Sequence, residues 1–441
     1  MVPHVLTALT GPINELEQRI IESLPAIERW FRLEWMEHTP PCYTSVDVRN
    51  AGFKLAPVDT NLFPDGFHNL TPEMLPLAVQ AAMAAIEKIC PEAKNLLLIP
   101  GPQTRNTFYL ANIARLMQIF HMAGLHVRLG TLDDSIKKPT DIELPDGVVL
   151  TMEPLIRERG RVGLKDFDPC TVLLNNDLSN GVPAVLENLH EQFLLPPLHA
   201  GWTVRRKSAH FTAYEETAKR FSKLMGIDPW LINPMFSKAQ NLPLTDAEGV
   251  DSLQAQADAL LTRVRRKYKE YGINEKAFIV IKPDAGTSGL GLMTVRDAKD
   301  LNDLSQRALH KFGNKFSAHG ASSSGGNESH VGEVILQEGV PTYERVNEAV
   351  AEPVVTMIDR YVVGGYYRVN AARAMDENLN SPGAAYVPLA FAEASQMPKP
   401  GGKPGASAPN RFYMYGVIAR LAMVAASYEL EATDPNAEVY D

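Results

Sequence analysis

The sequence predicts a mixed α/β fold, and three observations carry that reading. Asn95-Leu96-Leu97-Leu98-Ile99 is a short continuous apolar run closed by Pro100-Gly101, the pattern of a buried strand. A helical pattern follows from Thr107 to Ala123, and after Gly124 comes a second strand, Val127-Arg128-Leu129. Strand, helix, strand in that order is the grammar of parallel pairing with a helix packed on the sheet. Composition agrees: 45% hydrophobic and 22% charged residues over 441 positions make an ordinary globular chain, long enough for two or three structural units.

The remaining elements can be placed in order. The first 35 residues read as helix, with Pro12 near a helix start and Ile13, Leu16, Ile20, Ile21 and Leu24 at helical spacing. His38 to Leu70 reads as a polar, Pro-rich stretch. Thr71-Pro72-Glu73 opens a helix running toward Cys90, with Thr71 as its cap and Pro72 at its first position. Val172-Leu173-Leu174 is a further strand, ending in Asn175-Asn176-Asp177. Near residue 195 the character changes, and Pro196-Pro197 marks an expected boundary between a unit 1–195 and a unit 196–441. Beyond it lie helices from Thr212 to Met225 and from Ser252 to Tyr271, then strands Phe278–Ile281 and Val334–Leu336. Val354–Ile358 and Tyr361–Val369 meet around Asp359-Arg360 as a hairpin. A Pro/Gly-rich loop, Pro398 to Pro409, precedes a last helix from Tyr415 to Leu430. Gly320 to Asn327 is too small and polar to pack, so a mobile loop is expected there.

Charge and cysteine usage exclude several classes. With 43 Lys+Arg against 52 Asp+Glu the net charge is −9, so the basic face that grips nucleic acid is not expected. Cys42, Cys90 and Cys170 are far apart in sequence, odd in number, and form no C-x-x-C pair, which argues against zinc ribbons and a disulfide framework. The N-terminus lacks a basic secretory n-region, and no apolar run approaches the ~18 residues of a membrane span. A cytoplasmic protein without membrane partners is the expectation.

The stretch richest in chemistry is Phe278-Ile279-Val280-Ile281-Lys282, followed at once by Gly286, Ser288, Gly289 and Gly291 and by the strand-like Leu292-Met293-Thr294-Val295. Glycines let backbone N–H groups approach phosphate oxygens, and a lysine adds a point charge. The chain contains no G-x-x-x-x-G-K-S/T, so this is no P-loop, and the glycine loop joins two strands rather than opening a helix. The competing reading is an ordinary Gly-rich hairpin with a snorkelling lysine. Strand, Lys-Pro-x-x-Gly-x-x-Gly-x-Gly, strand resembles the triphosphate flap of the ATP-grasp superfamily. That resemblance implies partners in order along the chain. Gln337-Glu338-Gly339-Val340 would be the linker strand facing adenine, Glu344 a ribose carboxylate, and Lys207 the first phosphate lysine. Arg368 would stabilise phosphoryl transfer beside Lys282. Mg²⁺ would be held by oxygen donors, for which Asp359, Glu377, Asn378 and Asn380 are the candidates. The usual apolar strand ending in E-x-N is missing, and a polar hairpin and turn is the alternative for these residues.

Polar clusters in the N-terminal half follow predicted strands: the segment from Asp59 through Asn61 to Phe67, then Gln103 to Asn106, then Asn175 to Asp177. Ligands in open α/β sheets sit at the carboxyl ends of strands. Arg105 suits a substrate carboxylate because a guanidinium fork matches it bidentately, with Asn61 and Asn106 beside it and Arg49 or Arg205 as the next candidates. Turn formation and helix capping are the competing roles.

Over nearly its full length the chain resembles a bacterial family of glutamate–cysteine ligases. VDTNLFPDGFHNL, IPGPQTRNTFY, LLNNDLSNGVP, KSAHFTAYEETAKRF and IKPDAGTSGLGLMTV carry the match. The resemblance implies an N-terminal α/β substrate domain followed by an ATP-grasp-like domain, with ATP, L-glutamate, L-cysteine and Mg²⁺ as the small molecules bound. It implies synthesis of γ-glutamylcysteine, the first step to glutathione, through a γ-glutamyl phosphate. Spacing alone leaves open another ATP-grasp ligase, a small-molecule kinase, or a nucleotide-binding regulator without catalysis.

Overall fold

The computed structural model describes residues 5–6, 12–103, 106–189, 191–243, 247–286, 292–301, 331–389 and 412–437. The chain begins with β1 (Val5–Leu6), α1 (Pro12–Glu22), α2 (Leu24–Glu37), β2 (Tyr43–Asn50), β3 (Leu55–Asn61) and α3 (Leu75–Ile89). An alternating stretch follows: β4 (Asn95–Pro100), α4 (Thr107–Met122), β5 (His126–Thr131), β6 (Thr140–Glu143) and β7 (Val149–Pro154). Next come β8 (Ile156–Glu158), β9 (Arg161–Gly163), β10 (Thr171–Asn175) and β11 (Phe193–Leu195). The later half holds α5 (Lys207–Met225), β12 (Phe236–Pro243), α6 (Ala247–Glu270), β13 (Ile279–Pro283), β14 (Met293–Val295) and β15 (Val331–Glu338). It closes with β16 (Arg345–Val346), β17 (Ala349–Ile358), β18 (Tyr361–Asn370), β19 (Ala385–Pro388) and α7 (Phe412–Thr433).

Three sheets frame the molecule. A six-stranded sheet runs β11-β10-β4-β5-β7-β6, parallel except for the edge strand β6, as the strand-helix-strand grammar requires. A four-stranded antiparallel sheet runs β12-β15-β13-β14, so the glycine-rich loop after Lys282 does connect neighbouring strands. The third sheet has seven strands and joins both ends of the chain. In it β17 pairs with β18, β16 and β2, and β3 extends it through β2. Residues 1–195 therefore contribute β1, β2 and β3 to a sheet completed by β16–β19, and the expected boundary at 195 does not separate the sheets.

The stretch His38–Leu70, read from sequence as polar and without a strand, contains two of these strands. Val46 and Val48 are fully buried under α7, while Ser45, Asp47 and Arg49 alternate with them toward the opposite face. The opening helix is two helices, and α3 starts at Leu75 rather than after Thr71. Thr71 instead accepts the Met74 N–H at 3.0 Å in a turn before the helix. Helix α7 is apolar on every side because it lies inside, packed by α5, β2, β3 and the β17–β18 hairpin. No helix among the described residues is long and apolar enough to cross a membrane. The segment Gly320–Asn327 lies outside the described residues.

Candidate active site

A cleft of about 490 Å³ opens where the three sheets meet. Its first wall comes from β13, β3 and the start of α5. Along β13 the apolar Ile279 and Ile281 enter the core, and the period of two turns Val280 and Lys282 to the cleft. Lys282 is buried, donates to the Val58 carbonyl at 2.8 Å and lies over the Phe211 ring. Lys207 is the first residue of α5, and its side chain donates to the carbonyl of Gly286 and lies 4.0 Å from the Trp202 ring centre. Gly286 itself has φ of 91°, a left-handed conformation that costs glycine little. Asp284 ties the strand to the helix. Its backbone carbonyl accepts the Lys207 N–H at 2.7 Å, and its carboxylate accepts Ser208 N–H at 2.7 Å and Ser208 Oγ–H at 2.6 Å. Free N–H groups at the helix start are thereby satisfied by a neighbouring strand.

Buried charges of both signs crowd this wall. Burial lowers the Lys282 pKa, and burial pushes Lys207 down to about 8 even though Asp59 opposes it. Burial pushes the Asp59 carboxyl up, but Lys207, Lys282, Arg205 and His210 outweigh that and hold it below its usual value. Lysines held charged at such cost are relieved by a polyanion. A stability prediction follows for Lys207. Between about 8 and its ordinary 10.5 the unfolded chain holds a proton the folded chain has lost, so Lys207 makes stability rise with pH across that window. Below about 8 the penalty for the buried charge is fully present. In Lys207→Met, urea unfolding at pH 7 to 10 should show this rise removed and stability at pH 7 higher by roughly 1–3 kcal/mol. Parallel pH profiles for the two proteins would contradict the burial of a charged lysine.

The second wall is the seven-stranded sheet. Register places Glu352 opposite Arg368 on β17 and β18, and Asp47 opposite Val354 on β2. Arg368 donates to Asp47 at 2.6 Å and Glu352 at 2.7 Å, and Arg49 holds the other Glu352 oxygen at 2.8 Å. Arg49 also donates to the Val340 carbonyl at 3.2 Å and the Glu377 carbonyl at 2.6 Å, which fastens the 370s loop to the cleft. Burial, only partly offset by Arg368, pushes Asp47 up to about 6, whereas Arg49 and Arg368 outweigh burial and hold Glu352 low. The Arg368 Nε–H and the Gln337 amide nitrogen are buried without a hydrogen-bond partner among the described residues, and both residues line the cleft. Buried donors of this kind are costly until a ligand oxygen reaches them.

The third wall is the carboxyl end of the parallel sheet, where Gly101 to Gln103 follow β4 and Asn175 to Asp177 follow β10. Tyr109 ties the two loops, donating to the Asn175 carbonyl at 2.8 Å and accepting the Gly101 N–H at 2.7 Å. The Asn175 amide donates to Pro64 at 2.9 Å and to Tyr43 at 3.0 Å, which brings in the Asn61–Phe67 turn. There Gly66, with φ of 93°, lies so close to the Tyr366 hydroxyl that a Cβ would collide with it.

The cleft thus gathers Lys207, Lys282, Gly286, Gln337, Glu338, Val340, Asn61, Arg368, Glu377, Asn378 and Asn380 from the residues expected on sequence grounds. Three of the expected residues are not among those lining the cleft. Asp359 sits at the turn of the β17–β18 hairpin, where its carboxylate accepts from Lys88 at 2.7 Å, and it does not line the cleft. Seven residues along a strand from Glu352, at ~3.3 Å each, put it about 23 Å away along β17. Glu344 is fully buried, accepting from Asn50 at 3.1 Å and from Tyr415. Asn106 caps α4, accepting from Phe108 N–H at 3.0 Å and Tyr109 N–H at 3.3 Å, a role worth ~1 kcal/mol to the helix. The Glu338 carboxylate also points away, holding Lys54 at 2.8 Å and Trp230 at 3.0 Å, which leaves only its backbone for a ligand. Arg205 is spent on Glu429 at 2.9 Å and the Thr60 carbonyl at 2.8 Å. Arg105, Ser288, Gly289 and Gly291 lie outside the described residues.

Sequence reasoning did not single out Asp47, Glu352 or Tyr366 as cleft residues, and ranked Arg49 only as a substitute. A signal existed for two of them: Asp47 and Arg49 alternate with Val46 and Val48, and Glu352 interrupts an otherwise apolar strand.

A mixed α/β chain whose sheets converge on one cleft, with buried lysines on one wall and an arginine–carboxylate network on the other, belongs to the enzymes that handle anionic substrates. Residues 17–430 match the glutamate-cysteine ligase family GshA. The chain belongs to that family of carbon–nitrogen ligases. It is 51% identical to a protein of Methylobacillus flagellatus KT designated a gamma-glutamylcysteine synthetase, whose crystal structure superposes with a TM-score of 0.89. That match covers 98% of this chain and 100% of the other. Looser likenesses are to D-alanyl-alanine synthetase A of Vibrio cholerae (11% identity, 67% and 73% of the two chains, TM-score 0.32) and to a glutathione synthetase-like effector of Globodera pallida (10%, 84% and 79%, TM-score 0.35). Neither adds to the assignment. No curated protein matches significantly.

Proposed function

We propose that the cleft uses ATP to activate the γ-carboxylate of L-glutamate and passes the acyl group to the amine of L-cysteine, giving γ-glutamylcysteine for glutathione synthesis. The observation that carries this reading is the facing of Lys207 and Lys282 across one cleft from the Arg368–Glu352–Arg49 network. In this reading the arrangement is ATP-grasp-like. The phosphates lie against the two lysines and the loop beginning at Gly286, and adenine lies along the Glu338–Val340 backbone beside Gln337. A glutamate oxygen attacks the γ-phosphorus, the bond from that phosphorus to the β–γ bridging oxygen breaks and ADP leaves, and the acyl-phosphate so formed gives the carboxyl carbon the leaving group it lacked. The cysteine nitrogen then attacks that carbon, phosphate departs, and the amine loses its proton. Arg368 directs its free Nε–H to the oxygen on which charge builds, and acts hardest in the transition state.

Mg²⁺ suits such a site because it travels with nucleotide phosphates and needs only one or two protein carboxylates. Among the described residues no group of three or more His, Cys, Asp or Glu forms a ready-made cage. The donors that remain in the cleft, Glu377, Asn378 and Asn380, are oxygen donors suited to a hard cation, and the Glu377 side chain is 42% exposed. They would hold the ion, whose chemistry is to neutralise phosphate charge. Arg105, adjoining the cleft loop Gly101–Gln103, is the proposed holder of a glutamate carboxylate, with Arg49 the alternative. The cytoplasm, with its supply of ATP and of reduced thiols, is the location that suits this reading.

The test is ADP release from ATP and Mg²⁺ with glutamate, screened over single amino acids, and repeated with hydroxylamine in place of cysteine. Release stimulated by cysteine, with a hydroxamate formed from hydroxylamine, is expected. A stable phosphorylated product made without any amine would identify a kinase instead, and absence of ADP would leave a binding protein.

A further inference from the structure

Two of the three cysteines, 80 positions apart in sequence, meet on the surface away from the cleft. The sulfurs of Cys90 and Cys170 are 2.7 Å apart, nearer than non-bonded sulfurs settle and within an ångström of the ~2.05 Å disulfide bond. Both cysteines stand on well-held backbone. Cys90 is the C-cap of α3, its N–H donating to Ile86 at 2.8 Å and its carbonyl accepting Ala93 N–H at 2.9 Å. Cys170 directly precedes β10, a strand held between β4 and β11, and its carbonyl accepts Phe193 N–H at 2.8 Å. Asn95, at the start of β4, donates to the Asp168 carbonyl, two residues before Cys170, at 3.4 Å. Both are part-exposed, whereas Cys42 is buried, and burial followed by the charge of Asp359 pushes its thiol up to about 12.

We propose that Cys90 and Cys170 are a dithiol site that closes into a reversible intramolecular disulfide by exchange with low-molecular-weight disulfides. The thiolate of one cysteine attacks one sulfur of the small disulfide, and the first small thiol leaves and takes up a proton. The thiolate of the other then attacks the protein sulfur of the mixed disulfide and expels the second small thiol. Two protein thiols are oxidised, one small disulfide is reduced to two thiols, and no other oxidant is needed. The site does not depend on the proposed reaction of the cleft.

The experiment treats the full chain with bis(2-hydroxyethyl) disulfide at pH 8 and counts thiols after denaturation under acid quench. The count should fall from three to one, with intact mass lower by two hydrogen atoms and a digest containing one cross-linked peptide pair joining Cys90 to Cys170. Dithiothreitol should restore three. Cys90→Ser should stop at a mixed disulfide on Cys170, and Cys170→Ser at a mixed disulfide on Cys90. Three remaining thiols, or mixed disulfides on the unaltered chain without the cross-linked pair, would overturn the proposal.

Discussion

Lys282→Ala should lower ATP-dependent turnover by at least two orders of magnitude while leaving a folded protein. The side chain ends a strand beside the glycine loop and meets Asp59 and Lys207 within the cleft, so its charge is available to whatever phosphate lies there. Loss of one preorganised donor to a developing charge typically costs 10²–10³ in rate, about 3–4 kcal/mol. Stability should respond far less. The truncation gives up the bond to the Val58 carbonyl, about 1 kcal/mol net, and also relieves the burial of a cation. Circular dichroism and a urea titration separate the two effects from kcat/KM for ATP. A variant with near-normal turnover would remove the lysine from the phosphate site.

Arg368→Lys should reduce kcat by two orders of magnitude or more with little change in KM for any substrate. The guanidinium bridges Asp47 and Glu352 and still keeps its Nε–H for a ligand, whereas an ammonium is a single point that cannot do all three. A residue that acts in the transition state changes kcat, and one that only binds ground states changes KM. Lysine preserves the charge between the two acids, so the fold should persist. Arg368→Ala, by contrast, strands Glu352 on Arg49 alone and should cost about 3–5 kcal/mol of stability. A raised KM with normal kcat in the lysine variant would recast Arg368 as a substrate clamp.

The contrast between what could and could not be read from the chain has a physical origin. Asn95–Ile99 and Phe278–Lys282 are strands whose buried faces are continuous in sequence, so local pattern suffices, and Lys282 stands out as a charge delivered by an apolar run. Strand β2 obeys the same alternation, but its outward residues are Asp47 and Arg49, and their partners Arg368 and Glu352 lie 321 and 303 positions away. A strand that devotes one face to an ion-pair network looks like polar coil until its partner strands are known. Asp359 failed for the converse reason. It stands near Arg368 in sequence, but a hairpin turn carries it to the far end of the strand, where Lys88 claims it. Glu344 and Asn106 had side chains of the right chemistry already committed to Tyr415 and to a helix end.

The sheet that joins β2 to β17 also sets when the protein becomes whole during its making. Asp47 and Arg49 leave the ribosome some 300 residues before the acid and the arginine that neutralise them. At about 5–20 residues per second that interval is roughly 15–60 s, during which β2 can pair with β3 but its other edge, with Asp47 and Arg49, waits for β17. Those charges keep the waiting strand soluble and discourage pairing with another nascent chain. Contacts so distant in sequence make folding slow, and they mean that the cleft assembles in one late step after β18 has been synthesised.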